Sequence, residues 1–142
     1  MKSPDEVKGE FIRQWLGKAF DDLRVCRRLA GEPDLTAIAG FHAQQAAEKA
    51  LKAFLVWHQV EFSKSHDIGR ILELVASADS ELATTFKGAT ALTPFGVQYR
   101  YPSDLPEPTV EQIREALRTA EVVLAEVVAR LPLEFREELE AE

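Results

Sequence analysis

Thr36-Ala37-Ile38-Ala39-Gly40-Phe41-His42-Ala43-Gln44-Gln45-Ala46-Ala47-Glu48-Lys49-Ala50-Leu51-Lys52-Ala53-Phe54-Leu55-Val56-Trp57-His58 is the stretch on which the fold turns. It is rich in Ala, Gln, Glu, Lys and Leu, the residues that lose least on entering a helix. Its apolar positions Ile38, Phe41, Ala46, Ala50, Leu51, Phe54 and Leu55 face inward in part. The small alanines allow other helices to approach closely, so this helix is expected to pack on more than one side.

Working outward, Gly31-Glu32-Pro33-Asp34 separates it from an earlier helix, because proline cannot continue a helix. That first helix opens at Ser3-Pro4-Asp5-Glu6, with Ser3 as N-cap, Pro4 at the first helical position and Glu6 closing a capping box. Val7, Phe11, Trp15, Ala19, Leu23 and Cys26 then recur at steps of three and four, predicting one apolar stripe to about Ala30. Downstream, Ser65 or Asp67 is placed to cap a third helix whose stripe is Ile68, Ile71, Leu72, Val75 and Ala78. A weaker helix is expected from Ser80 to about Leu92, and Thr93 to Pro108 reads as a proline-rich segment without regular structure. The last helix opens with a second capping box, Thr109-Val110-Glu111-Gln112, and carries Ile113, Leu117, Ala120, Leu124, Val127, Val128 and Leu131 inward. No period-two alternation persists and no internal repeat is found. The expected fold is an all-α, antiparallel, up-and-down bundle of four to five helices over residues 1–131, followed by an acidic C-terminal tail at 132–142.

A chain of 142 residues suits one such core. No apolar run reaches the ~20 residues that a membrane span needs. The polar, acidic start lacks the pattern of a secretory signal, so the expected location is cytoplasmic. Cys26 alone builds neither an internal disulfide nor a zinc site and is read as a small core residue. The net charge of −7 argues against non-specific binding to DNA. Five glutamates and one arginine lie between Glu134 and Glu142, so the body is closer to neutral and has room for a local basic pocket.

Within the second helix, His42, Gln45, Glu48, Lys49 and Lys52 share one broad polar face. Read blandly, this is a solvated surface on which Glu48 and Lys52 form an ordinary i, i+4 pair worth ~0.3 to 0.5 kcal/mol. Later in the chain, Arg100 offers a planar fork for phosphate, and Tyr99 or Tyr101 can stack on a base. The structural alternative is that Arg100 pairs with Glu48 or Asp67 and pins its loop. His66, beside Asp67, reads more readily as a capping or loop-packing residue than as a catalyst. Trp15 and Trp57 on helical stripes read as core or interface. There is no glycine-rich phosphate loop, no His-Glu-x-x-His pattern and no Gly-x-Ser-x-Gly elbow, so neither a metal nor a cofactor is expected and no catalytic residue is assigned.

Phe41-His42-Ala43-Gln44-Gln45-Ala46-Ala47-Glu48-Lys49-Ala50-Leu51-Lys52-Ala53, then Ser65-His66-Asp67, then Tyr99-Arg100-Tyr101-Pro102, occur in that order. Together they resemble the HEPN domain family over roughly residues 10 to 131. The resemblance implies a bundle of about five helices related to the helical domain of kanamycin nucleotidyltransferase, commonly a homodimer. It also implies nucleotide binding, and a minimal nucleotidyltransferase as partner in a two-part system of toxin–antitoxin type. By motif, the implied nucleotide-binding residues are Gln45, Glu48, Lys49, Lys52, His66, Asp67, Arg100 and Tyr101. Ribonuclease branches of the family carry an arginine followed after four to six residues by histidine. Here Arg100 is followed by Tyr101, Pro102, Ser103, Asp104, Leu105, Pro106 and Glu107, and His42, His58 and His66 all precede it. The expectation is therefore a non-catalytic accessory protein. The alternatives are a ribonuclease with a rearranged site, in which His66 or His42 meets Arg100, and a purely structural self-association module.

Overall fold

The computed structural model describes residues 1–140, with side chains through Arg136. Seven α-helices follow one another: α1 (Pro4–Leu29), α2 (Thr36–Trp57), α3 (Ile68–Ala78), α4 (Ser80–Thr85), α5 (Thr93–Val97), α6 (Val110–Ala129) and α7 (Leu133–Glu140). Short 3₁₀ turns occupy Lys87–Leu92 and Gln98–Arg100, and no strand occurs among the described residues. The chain is thus an all-α bundle.

Local chemistry explains most of the boundaries. Ser3 Oγ accepts from the Glu6 N–H at 3.2 Å and Pro4 opens α1. Asp67 rather than Ser65 caps α3, its Oδ1 accepting from the Gly69 N–H at 2.9 Å, while Ser65 Oγ accepts from the Asp67 N–H. At α6 both halves of the capping box form: Gln112 N–H donates to Thr109 Oγ1, and Thr109 N–H donates to Gln112 Oε1.

α2 is the centre of the molecule. It packs against α1, α3, α5 and α6, and alanines at 39, 43, 46, 47, 50 and 53 are fully buried along it. Pairs between α1 and α2 run antiparallel: Lys8 lies over Trp57, Trp15 near Lys52, and Asp22 against His42. The loop after α2 then doubles back along it. Phe62 meets Trp15 edge-on, and His66 reaches Glu48 in the middle of α2.

Two glycines let α5 lie close to this central helix. A Cβ on Gly40 would sit 2.6 Å from Phe95 Cδ1, and one on Gly96 would sit 2.8 Å from Gln44 Cδ. Either distance is shorter than real carbon atoms allow, so the α2–α5 approach requires hydrogen at both positions.

Several expectations need correction. Val7 and Phe11 are 39% and 52% exposed, and the inward stripe of α1 is instead Ile12, Leu16, Ala19, Leu23 and Cys26. A run of four-residue steps drifts by about 40° each, so 15, 11 and 7 rotate progressively off the face that 19 occupies. The helix expected from Ser80 to Leu92 tightens to 3₁₀ geometry after Thr85, around Gly88. The segment after it is not structureless, since Pro94 sits in the first turn of α5, where its missing N–H is harmless, instead of ending a helix. Residues 132–142, read from sequence as an acidic tail, include α7. Its Phe135 is buried against Gly9 and the edge of Trp57. Ala141 and Glu142 lie outside the described residues.

Candidate functional site

Between Thr36 and Leu55, only Ala37, Ile38, Phe41, His42, Gln45 and Lys49 keep access to solvent. These residues form a single seam along an otherwise buried helix. α1 flanks the seam on one side, and the segment from α5 to Arg100 flanks it near Phe41.

The Arg100 guanidinium carbon lies 4.3 Å from the centre of the Phe41 ring and 5.8 Å from that of Tyr101. Neither Glu48 nor Asp67 is its partner, and no carboxylate among the described residues forms an ion pair with it. Arg100 and Tyr101 are both exposed. Tyr99 is stacked on Phe95 at 5.3 Å, which fixes the base of the loop to α5. Ala37, Ile38, Phe41, Tyr99 and Arg100 enclose a cleft of about 190 Å³. Larger hollows exist, at about 390 Å³ beside Phe86 and Val122 and about 570 Å³ beside Val7 and Phe11. Their cations are already engaged: Arg118 with Glu115, Lys2 with Glu10 and Lys8 over Trp57. Volume therefore does not locate the site; of these three hollows, the one beside Phe41 has an exposed guanidinium on an aromatic ring with no carboxylate partner among the described residues.

Beneath the seam, the polar face of α2 is not a solvated surface. Gln44, Glu48 and Lys52 are 0%, 2% and 4% exposed. Glu48 Oε1 accepts from Gln44 Nε2 at 3.1 Å and from His66 Nδ1 at 2.8 Å, and Glu48 Oε2 accepts from Lys52 Nζ at 3.1 Å. A carboxylate can only accept, so the ring proton of His66 sits on Nδ1. Gln44 Nε2 also donates to the His66 carbonyl, and Gln45 Nε2 donates to Gln44 Oε1 at 2.8 Å. The Lys52 ammonium lies 5.6 Å from the centres of both Trp15 and Phe62. Carboxylate and rings together compensate its burial.

A second cluster joins α1 to the seam. Asp22, 8% exposed, accepts from His42 Nδ1 at 2.7 Å and from Lys49 Nζ at 2.6 Å. His42 packs edge-on against Phe41 with ring centres 5.4 Å apart, so imidazole and guanidinium share one aromatic ring.

The residues singled out in the sequence therefore fall into two groups. Gln45, Lys49, Arg100 and Tyr101 lie at the surface on or beside the seam, while Glu48 and Lys52 are interior and tie His66 to the bundle. Asp67 is the α3 cap. Sequence reasoning missed Asp22 and Gln44. The available signal was a carboxylate between Ala19 and Cys26 on the inward register of α1, a position that demands a partner. Groups of three or more metal-ligating side chains are absent among the described residues, as is any helix long and apolar enough to cross a membrane.

An all-α bundle with these three signatures defines a class, and comparison with known proteins gives it a family. The HEPN domain model matches residues 12–131, most of the chain, and the protein belongs to the HEPN domain family. The chain is similar to TT1696 from Thermus thermophilus, a crystal structure with 32% identity and a TM-score of 0.70, over 84% of this chain and 98% of that one. It is also similar in fold to ST0689, an archaeal HEPN homologue, with 23% identity and a TM-score of 0.63, over 84% and 96% of the respective chains. No curated protein matches.

Proposed function

We propose that this protein is a non-catalytic HEPN accessory protein that binds a nucleotide along the exposed seam of α2. In this reading it works as a homodimer and partners a minimal nucleotidyltransferase in a two-part system of toxin–antitoxin type. One observation carries the binding half: Arg100 lies over the Phe41 ring, exposed, with no carboxylate partner among the described residues. A guanidinium held this way is ready for bidentate contact with phosphate. Tyr101 supplies an aromatic face for the base and Gln45 an amide oxygen, while Lys49, paired with Asp22, lines the same seam. Glu48, Lys52, His66 and Asp67 serve as the frame that holds the α2–α3 connection in place. The partnership with a nucleotidyltransferase and the self-association follow from what HEPN membership implies, and Val7 and Phe11 offer exposed apolar surface to a second chain.

Calorimetric titration with a panel of nucleotides, repeated on Arg100→Ala, tests this reading. Binding that falls at least ten-fold in the variant supports it; heat from no nucleotide removes the binding half. The ribonuclease alternative has a separate readout, since RNA cleavage that disappears in His66→Ala or His42→Ala would replace the non-catalytic reading. A monomer by light scattering at micromolar concentration would remove the homodimer.

A further inference from the structure

The seam holds a titratable group that the binding reading above leaves unused. His42 is about a quarter exposed, and Asp22 accepts its Nδ1 at 2.7 Å. Because the carboxylate has no proton to give, the ring proton is on Nδ1, and Nε2 has no partner among the described residues. The charged groups around the ring come from three elements: Asp22 from α1, Lys49 from α2 itself, and Arg100 across the Phe41 ring. Asp22 and Lys49, in contact at 2.6 Å, cancel one another. What remains is one positive charge, on Arg100, when the imidazole is neutral, and two when it is protonated. Guanidinium and imidazole both pack against the Phe41 ring.

Resting on the nucleotide-binding reading, we propose that His42 is a second anion-recognition residue of the seam, oriented by Asp22, and that the preferred ligand ends in a phosphate monoester. As the phosphate arrives, a proton from solvent adds to Nε2, which then donates a charge-assisted hydrogen bond to a phosphate oxygen. No bond to phosphorus forms or breaks. The two positive charges match a monoester dianion, whereas a diester carries only one negative charge. Asp22 is a positioning residue: it holds the tautomer that leaves Nε2 facing the ligand unencumbered.

The test uses the full chain and the 5′-monophosphates of adenosine, guanosine, cytidine and uridine, each beside its 3′,5′-cyclic diester. Titrations are run at about pH 7.5 in two buffers of different ionisation enthalpy, above the second phosphate pKa of about 6. Wild type is expected to take up a proton on binding a monophosphate and to bind it about ten-fold more tightly than the diester. His42→Asn retains a donor at the Nδ1 position and lacks Nε2, so it should bind about ten-fold more weakly with no proton uptake. His42→Gln, whose amide reaches further, should recover affinity and still take up no proton. Binding without proton uptake in wild type, or unchanged affinity in both variants, overturns the role of His42 while leaving the seam intact. Binding that Arg100→Ala does not weaken, or no binding at all, instead brings down the seam reading itself.

Discussion

The Lys52 ammonium lies 3.1 Å from Glu48 Oε2, with both side chains almost wholly buried between α1, α2 and the returning α2–α3 connection. Removing one partner leaves an uncompensated charge in the interior. Glu48→Ala is therefore expected to cost about 3 to 5 kcal/mol, against the few tenths expected of an exposed i, i+4 pair. Urea denaturation of Glu48→Ala beside a Glu48→Met/Lys52→Met double variant checks this. The double variant should be much closer to wild type, and a loss below about 1 kcal/mol in the single variant would mean the pair is solvated after all.

Gly96 faces Gln44, whose side chain is held by hydrogen bonds to Glu48, Gln45 and the His66 carbonyl and cannot step aside freely. Gly96→Ala should destabilise the fold by about 1 to 3 kcal/mol and displace α5, carrying Arg100 away from Phe41. Chemical denaturation reads the first effect, and a weakened response of the Phe41 ring resonances to nucleotide reads the second. An Ala variant with wild-type stability would show that α5 does not press on α2.

How much of this was legible beforehand depends on which physical signal each residue sends. The helices α1, α2, α3 and α6 announce themselves through periodicity and caps, and Thr109 with Gln112 forms the reciprocal box that its spacing predicts. Arg100 and Tyr101 stand out as a cation and an aromatic in a proline-rich stretch. What spacing alone does not reveal is depth. Glu48 and Lys52 look like a solvated pair in one dimension, and only the doubling back of the loop bearing Phe62 and His66 buries them. Phe135 was obscured in the same way, by the glutamates around it, and α5 was hidden by a proline that opens a helix instead of ending one.

Phe135 fills space between Gly9 and Trp57, so Phe135→Ala should cost about 3 to 5 kcal/mol through lost burial and the cavity left behind. Thermal unfolding beside Leu133→Ala, an exposed control on the same helix, provides the comparison. Equal, small effects of the two substitutions would mean that α7 is not docked.

Burial raises the Cys26 thiol to a pKa of about 11, with Glu121 adding to the shift and Arg27 opposing it. At pH 8 the native thiol should react with an aromatic disulfide reagent more than ~100-fold more slowly than in denaturant. The linkage has a definite sign. A pKa raised by folding gives a contribution fully present below the ordinary value of 9.0 and lost as pH rises toward about 11. Cys26→Ala should accordingly show a flatter stability profile between those limits, and parallel profiles would contradict the shift.

That a phosphorylated ligand meets Arg100 on the solvent-facing seam of α2 is tested most directly by nitrogen–proton correlation spectra recorded during titration with nucleoside 5′-monophosphates. The prediction is a saturating set of shifts confined to Phe41, His42, Gln45, Lys49, Tyr99, Arg100 and Tyr101, abolished in Arg100→Ala. Shifts centred on the hollow beside Phe86 and Val122, or none at any residue at millimolar ligand, would contradict it.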